Sequence, residues 1–134
     1  MSENVDAAWR AIDAYNRRDV DALLVELHPE VEWHPALPIL LGGEATVYRG
    51  HEGVRQFFRE TDEVLAEIHV EYSEVRDLGD RVLATGRIRT RGKASGAETE
   101  SAVGVVIDIR DGKSIRVRTY LDPIEAREAA GLVD

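Results

Sequence analysis

The fold is decided by residues 69–121, HVEYSEVRDLGDRVLATGRIRTRGKASGAETESAVGVVIDIRDGKSIRVRTYL. Apolar and polar side chains alternate along this stretch, which is the period of strands with one buried face. Three turn signals divide it: Gly79-Asp80, residues 92–96 and Asp111-Gly112. The pattern predicts four strands, near 69–77, 81–91, 98–110 and 113–121. Because each turn is short, we expect consecutive strands to be antiparallel neighbours.

Helices are predicted on both sides of this region, where apolar residues recur every three or four positions. The first covers residues 5–15 with Ser2 or Asn4 as its cap, and Asp19 caps a second. A short strand follows at 31–34, then a loop at 35–50 and a third helix over 54–68. Asp122-Pro123 begins a last short helix. Helices segregated from an antiparallel meander predict one α+β domain over residues 1–134, with the sheet wrapped on the helices.

Charge restricts the partners of this domain. The 134 residues carry 17 Lys plus Arg against 26 Asp plus Glu, a formal net charge of -9. This excess of acid argues against a nucleic-acid backbone or an anionic membrane surface as the partner. Residues 1–75 hold 6 basic and 16 acidic side chains, while 76–134 hold 11 and 10. The second half is therefore nearly neutral, and it contains an arginine-rich strand that the net charge of the whole chain does not reveal.

Several kinds of site are not expected in this sequence. There is no cysteine, so there is no disulfide, thiolate ligand or cysteine nucleophile. The four histidines, at positions 28, 34, 51 and 69, show no metal-ligand spacing, and we expect no metal. Gly112-Lys113-Ser114 resembles the end of a phosphate-binding loop but lacks the earlier glycine, and we expect no cofactor. The start of the chain has no leader pattern, and the apolar runs are too short to span a membrane, so we expect a cytoplasmic protein.

The last predicted strand has one apolar face, formed by Ile115, Val117, Thr119 and Leu121. This face must look toward the helices. Thr119 is then a polar group on an inner face, and its hydroxyl requires a hydrogen-bond partner. Thr119 either bonds a neighbouring protein group or forms part of a pocket wall.

Three arginines, Arg87, Arg89 and Arg91, share one face of the strand at 81–91. Glu98 and Glu100 share a face of the next strand, and opposite charges across a hairpin attract. One interpretation is a ladder of ion pairs that faces solvent or a second copy of the chain. The alternative is that Arg87 or Arg89 points into a cavity and binds an anionic or carbonyl group of a ligand.

The dipeptide Trp33-His34 lies on the short strand, with Tyr48 in the loop that follows. Adjacent strand residues face opposite sides, so only one of the two can line a cavity. Because an imidazole titrates near neutral pH, His34 is a candidate general acid or base. A histidine without an identified partner is, however, more often a structural residue.

Three segments together resemble the SnoaL-like branch of the nuclear transport factor 2-like superfamily: YRGHEGVRQFF (48–58), RDGKSIRVRTYLD (110–122) and DPIEAREAAGL (122–132). The resemblance covers nearly the whole chain. It implies a cystatin-like α+β barrel, in which a curved antiparallel sheet wraps three N-terminal helices around an apolar pocket. It also implies a homodimer packed through the sheet. Relatives include polyketide cyclases, ketosteroid isomerases, limonene epoxide hydrolases, dehydratases and non-catalytic binders.

The catalytic positions of these relatives are not filled as a set. The inward carboxylate of the cyclases and hydrolases falls at Thr119, and the hydrolase Arg–Asp pair falls at Arg87 and Arg89. The helix tyrosine of the isomerases falls near Ala11. Their base falls at Pro35, or at His34 if the loop shifts by one residue. No complete acid–base pair is present, which is what these reactions require.

We therefore expect a pocket for a small apolar or carbonyl-containing molecule, in a chain that forms a homodimer. The residues predicted to bind the ligand are Trp9, Ile12, Trp33, Tyr48, Phe57, Arg87, Val105, Val117, Thr119 and Leu121. Two functions are consistent with the sequence. One is an isomerase, cyclase or dehydratase without a cofactor, with His34 as general base. The other is a non-catalytic binding or homodimeric interaction module.

Overall fold

Five helices and six strands follow one another through the computed structural model, which describes residues 2–132. The helices are α1 (Glu3–Asn16), α2 (Val20–Glu26), α3 (Leu37–Leu40), α4 (Gly50–Val64) and α5 (Pro123–Ala129). The strands are β1 (Leu27–His34), β2 (Tyr48–Arg49), β3 (Leu65–Asp77), β4 (Arg81–Gly92), β5 (Glu98–Arg110) and β6 (Lys113–Tyr120). Residues 1, 133 and 134 of the predicted domain lie outside the described residues.

All six strands belong to one curved, unclosed sheet in the order β2-β1-β6-β5-β4-β3. The four strands β3 to β6 form the predicted antiparallel meander. The strand β1 extends it by pairing parallel to β6, and β2 pairs antiparallel with β1 at the edge. Helices lie against this sheet, so the predicted α+β class is confirmed.

The predicted helix starts coincide with capping side chains. The Ser2 hydroxyl accepts a hydrogen bond from the backbone N–H of Val5 at 3.1 Å. The Asp19 carboxylate accepts one from Ala22 at 3.1 Å. The Asp122 carboxylate does the same for α5, where Pro123 fills the first helical position. In each case an N-terminal N–H that has no partner within its helix is satisfied.

Several element boundaries differ from the prediction. The third predicted helix ends at Val64, because Leu65 already pairs with Gly92 and Ile68 with Thr90 across the sheet. The strand predicted at 31–34 begins at Leu27, and Pro29 lies where the β1–β6 ladder is interrupted. The predicted loop 35–50 contains two short elements, α3 and β2. Hydrogen bonds to strands distant in sequence decide these boundaries, and the local pattern of apolar residues does not predict such bonds.

The main core lies between the inner face of the sheet and α1, α2 and α4, with Phe57, Leu23 and Val54 fully buried. A second, smaller core lies on the outer face, where α5 packs Ala126 and Ala130 on Leu83 and Val106. The approach of α5 depends on Gly104, because a Cβ there would lie 2.5 Å from the Cβ of Ala126. Within residues 2–132, no helix is long and apolar enough to cross a membrane.

Candidate functional site

A cavity of about 80 Å³ lies between α1, α2 and the inner face of the sheet. Most of its wall is apolar, from residues such as Ile12, Leu23, Ile88, Val105, Ile107 and Val117. Five polar side chains also line it: Tyr15, Trp33, Tyr72, Ser114 and Thr119. All five are uncharged, and no carboxylate, imidazole, ammonium or guanidinium group of the described residues belongs to the wall. The cavity is thus an apolar space with several neutral hydrogen-bonding groups.

Trp33 presents its indole on the cavity side of β1. The strand places it beside Tyr48 on β2 and Val117 on β6. Its ring stacks on Tyr15 with centroids 6.2 Å apart and contacts Phe57 at 5.8 Å. The indole Nε1 is buried and has no hydrogen-bond partner among residues 2–132. An unpaired buried N–H is rare in folded proteins, and this one is available to donate a hydrogen bond to an acceptor in the cavity.

The two tyrosines of the wall are neutral phenols. Burial raises the pKa of Tyr15 above its ordinary value. Burial raises the pKa of Tyr72 likewise, and the nearby Tyr15 phenol adds to that increase. Neither hydroxyl makes a hydrogen bond to another side chain or backbone group of the described residues. At neutral pH both phenols therefore keep their protons and can donate hydrogen bonds, but they do not act as bases.

Tyr72 reaches the cavity because β3 and β4 approach each other closely at Gly86. A Cβ at Gly86 would lie 2.0 Å from the carbonyl oxygen of Glu71 and 2.6 Å from the Cα of Tyr72. Just beyond Tyr72 the pairing shifts, because Tyr72 faces Gly86 while Glu74 faces Thr85. This β-bulge makes Ser73 the extra residue of the pairing, although its hydroxyl donates to the Thr85 carbonyl at 3.4 Å, and it changes the face on which the following residues lie.

The inner face of β6 differs from the predicted one, because the strand contains a second bulge. Asp108 pairs with Arg116 and Ile109 with Ser114, so Ile115 is the extra residue. As a result Ser114 lines the cavity together with Val117 and Thr119, and Ile115 does not line it. The prediction for Ile115 assumed unbroken alternation, and a bulge breaks that rule.

The structure brings together half of the residues predicted to bind the ligand. Those that line the cavity are Ile12, Trp33, Val105, Val117 and Thr119. Phe57 and Tyr48 lie behind Trp33 in the core and do not line the cavity. The Tyr48 hydroxyl donates to Glu60 at 2.5 Å, and burial together with this bond raises the pKa of Tyr48 to about 12. Leu121 follows the end of β6, outside the wall.

Trp9 lies outside the cavity, on the surface of α1, and is 43% exposed. The face of α1 that lines the cavity is formed by Ala8, Ala11, Ile12 and Tyr15. Trp9 follows Ala8 and is turned roughly 100° from it around the helix axis. The apolar stripe predicted from the sequence is therefore broader than the face of α1 that lines the cavity.

His34 lies on the outer side of β1, since Trp33 takes the inward position. Its Nε2 is 3.2 Å from Oε1 of Glu32, and the hydrogen bond from His34 lowers the pKa of that carboxyl. Across the ladder His34 faces Arg118 of β6. The proposed role as general base requires an imidazole nitrogen inside the cavity, and the structure does not place one there.

Arg87 also lies outside the cavity. Its Nε donates to Oε1 of Glu100 at 2.6 Å, and Arg91 pairs with Glu67 at 2.8 Å. Of the two interpretations of the arginine row, the structure shows ion pairs between strands on the outer face.

Tyr15, Tyr72 and Ser114 are the polar cavity residues that the sequence analysis did not select. A glycine inside the predicted strand at 81–91 was a signal of close approach, but it did not identify Tyr72.

A curved sheet wrapped on helices around an internal cavity defines the class of NTF2-like, cystatin-fold α+β proteins. Residues 8–117 match the model of the SnoaL-like domain, and this chain belongs to that family. No protein with a curated description matches the chain. Two proteins described as putative polyketide cyclases share the fold at 20% and 18% identity.

Several solved structures share the fold. An NTF2-like protein of unknown function from Burkholderia pseudomallei is 25% identical, with a TM-score of 0.79 over 96% of this chain and 97% of the other. TerC, co-crystallised with polyporic acid, is 26% identical, with a TM-score of 0.78 over 97% and 99%. A ketosteroid isomerase-like protein from Catenulispora acidiphila, in complex with trimethylamine, is 13% identical, with a TM-score of 0.74 over 95% and 93%. At that identity the last of these shows the fold alone.

Proposed function

We propose that this protein binds a small, mostly apolar molecule through a carbonyl oxygen that accepts a hydrogen bond from Trp33. The observation that carries the proposal is the unpaired indole Nε1 in the wall of an apolar cavity. A carbonyl oxygen has two lone pairs, so the Tyr15 or Tyr72 hydroxyl could share the same atom. The co-crystallisation of TerC with polyporic acid supports small-molecule binding in a protein of this fold.

The size of the cavity selects the scale of the ligand. Its volume of about 80 Å³ is well below the roughly 300–1,000 Å³ of pockets for drug-sized molecules. It is nearer to the roughly 150 Å³ cavity that is known to hold benzene. We therefore propose a ligand, or the part of a ligand that enters the cavity, with about six non-hydrogen atoms.

The chemistry of the wall favours binding over proton transfer. An isomerase, cyclase or dehydratase must remove a proton from its substrate, which requires a base within hydrogen-bond reach. The wall formed by the described residues offers hydroxyl and indole groups only, and burial raises the pKa of its two phenols. Donors around a carbonyl oxygen can stabilise negative charge there, but no group of this wall generates that charge. The non-catalytic alternative is therefore the one we propose.

The indole N–H signal of Trp33 tests this proposal by NMR, because the chain has only two tryptophans. Trp9→Phe assigns the two signals. Cyclopentanone is the probe, and methylenecyclopentane is the matched hydrocarbon, which has nearly the same shape without the acceptor oxygen. We expect cyclopentanone to move the Trp33 signal downfield, and to bind roughly 5- to 10-fold more tightly than the hydrocarbon, which is the worth of one hydrogen bond. Equal affinities for the two probes, or an unmoved Trp33 signal at saturation, would overturn the proposal.

We also propose that a second copy of the chain packs on the outer face of the sheet. The support is the charge complementarity of the ion-pair ladder formed by Arg87 with Glu100 and Arg91 with Glu67, which alternates in sign across neighbouring strands. Such a surface can match a second copy of itself in the antiparallel orientation. Sedimentation velocity is expected to show a dimer at low salt that weakens as ionic strength rises. A monomer at low salt and high protein concentration would overturn this second proposal.

A further inference from the structure

Ser114 places a hydroxyl in the wall of the cavity. The residue is only 7% exposed, and it lies opposite the apolar Leu27, which also lines the wall. Its hydroxyl makes no hydrogen bond to any group of residues 2–132. Because its oxygen is not among the fully buried atoms that lack a partner, it keeps accessible surface and can bond a molecule in the cavity.

The β6 bulge is what places Ser114 in the wall. Unbroken alternation from Val117 would direct Ile115, an apolar residue, into the same space. The bulge instead disrupts the ladder locally and brings a polar residue into an apolar cavity. Both the lost ladder pairing and the polar side chain in an apolar space are unfavourable for the free protein. A polar group of a bound molecule would offset this cost.

Ser114 and Trp33 occupy different levels of the cavity. Trp33 lies opposite Val117 in the β1–β6 ladder, whereas Ser114 lies opposite Leu27 at the other end of β1. The two β6 positions are three residues apart, which is roughly 7–10 Å along the strand once the bulge is allowed for. A ligand oxygen held at the level of Trp33 therefore leaves the level of Ser114 to another part of the ligand.

We propose that Ser114 selects ligands that carry a second polar group, a hydroxyl, at the end opposite the carbonyl oxygen. This inference rests on the proposed function, since it assumes that the carbonyl end is held by Trp33. The class of ligand is then a small hydroxyketone with an apolar middle. The Ser114 hydroxyl can donate to the ligand hydroxyl or accept from it, so it suits this group.

The test compares cyclopentanone with 3-hydroxycyclopentanone in NMR titrations of the wild-type protein and of Ser114→Ala. We expect the added hydroxyl to tighten binding to the wild type roughly 5- to 10-fold, and to give no gain in Ser114→Ala. In each protein the gain is the ratio of the affinity for 3-hydroxycyclopentanone to the affinity for cyclopentanone, so any change in the affinity for cyclopentanone itself cancels. The control is Ser101→Ala, since Ser101 is half-buried on β5, bonds the Ala102 carbonyl and does not line the cavity. It should keep the full gain.

The outcomes separate this inference from the proposed function. If cyclopentanone moves the Trp33 signal but the hydroxyl adds nothing in the wild type, or if Ser114→Ala keeps the gain, the Ser114 inference fails and the proposed function stands. If cyclopentanone leaves Trp33 unmoved, the proposed function fails first. Ser114→Cys keeps the shape of the side chain at a slightly larger volume and has a weaker donor. It is expected to give an intermediate gain, and it serves as the second variant should Ser114→Ala fold poorly.

Discussion

Replacing Trp33 with Phe removes the unpaired indole N–H while keeping an aromatic ring in the stack with Tyr15 and Phe57. Two effects on the free energy of unfolding oppose each other. Removal of a buried donor without a partner relieves a desolvation cost of about 1–3 kcal/mol. The smaller ring loses burial and leaves a void, at a cost of about 1–2 kcal/mol. We therefore expect Trp33→Phe to lie within about 1 kcal/mol of the wild type.

Two reference variants set the scale for the small change in the free energy of unfolding that is expected for Trp33→Phe. Trp33→Ala removes the ring as well and is expected to lose about 3–5 kcal/mol. Phe57→Leu alters a buried neighbour that has no polar atom, and is expected to lose about 1–2 kcal/mol, with no desolvation cost to recover. Urea unfolding followed by far-ultraviolet circular dichroism measures all three, provided that the m-values agree.

The result that would refute the reasoning is a large loss of stability in Trp33→Phe. A loss of about 3 kcal/mol or more would mean that the indole N–H already has a partner in the free protein. The donor would then be structural, and the argument for an acceptor on the ligand would disappear. A near-neutral change combined with loss of the preference for cyclopentanone over methylenecyclopentane would assign the N–H to ligand binding.

Three further predictions concern the surroundings of the site. Gly104→Ala should displace α5, because its Cβ would meet that of Ala126 at 2.5 Å, and thermal unfolding should show a loss of about 1–3 kcal/mol. Asp122→Ala removes the α5 N-cap and should cost about 1 kcal/mol in the same assay. Burial raises the pKa of Tyr15 and Tyr72 in the folded state, so the stability linked to them is complete below the unfolded value of about 10 and is lost as the pH rises above it. Absorbance at 295 nm should show these two phenols ionising only as the chain unfolds, and early ionisation would contradict their burial.

The sequence predicted the architecture well because its local signals agree with the final pairing. The alternation over 69–121 and the three turns led to the observed meander, and Asp19 and Asp122 marked helix starts that the structure confirms. The departures all involve partners distant in sequence. Leu65 joins a strand because Gly92 pairs with it, although the helical pattern continues to Ile68.

The site was harder to predict than the fold because each bulge reverses the relation between sequence position and face. The pattern assigned Ile115 to the inner face of the last strand, and the bulge places Ser114 in the cavity wall instead. Tyr72 was not selected, since a single tyrosine on a predicted strand has no distinguishing pattern. His34 was selected for its chemistry, but alternation gives the inward position to Trp33. Residue type alone therefore favoured a titratable group that the geometry leaves outside.

The polar groups of the cavity differ in kind from those of the outer face, and this difference bears on the electrostatics of binding. Charged side chains pair with one another on the outer face, as the exposed Arg87 does with Glu100 at 2.6 Å, where solvent screens them and each such pair contributes little. Inside, the five polar side chains of the wall are neutral and none of them hydrogen-bonds another group of residues 2–132, and among them the Trp33 Nε1 is fully buried. Hydrogen bonds to neutral donors in an apolar space are strong when made and costly when missing. Such a wall discriminates between ligands by the positions of their oxygens, because an analogue that lacks one leaves a buried donor unpaired.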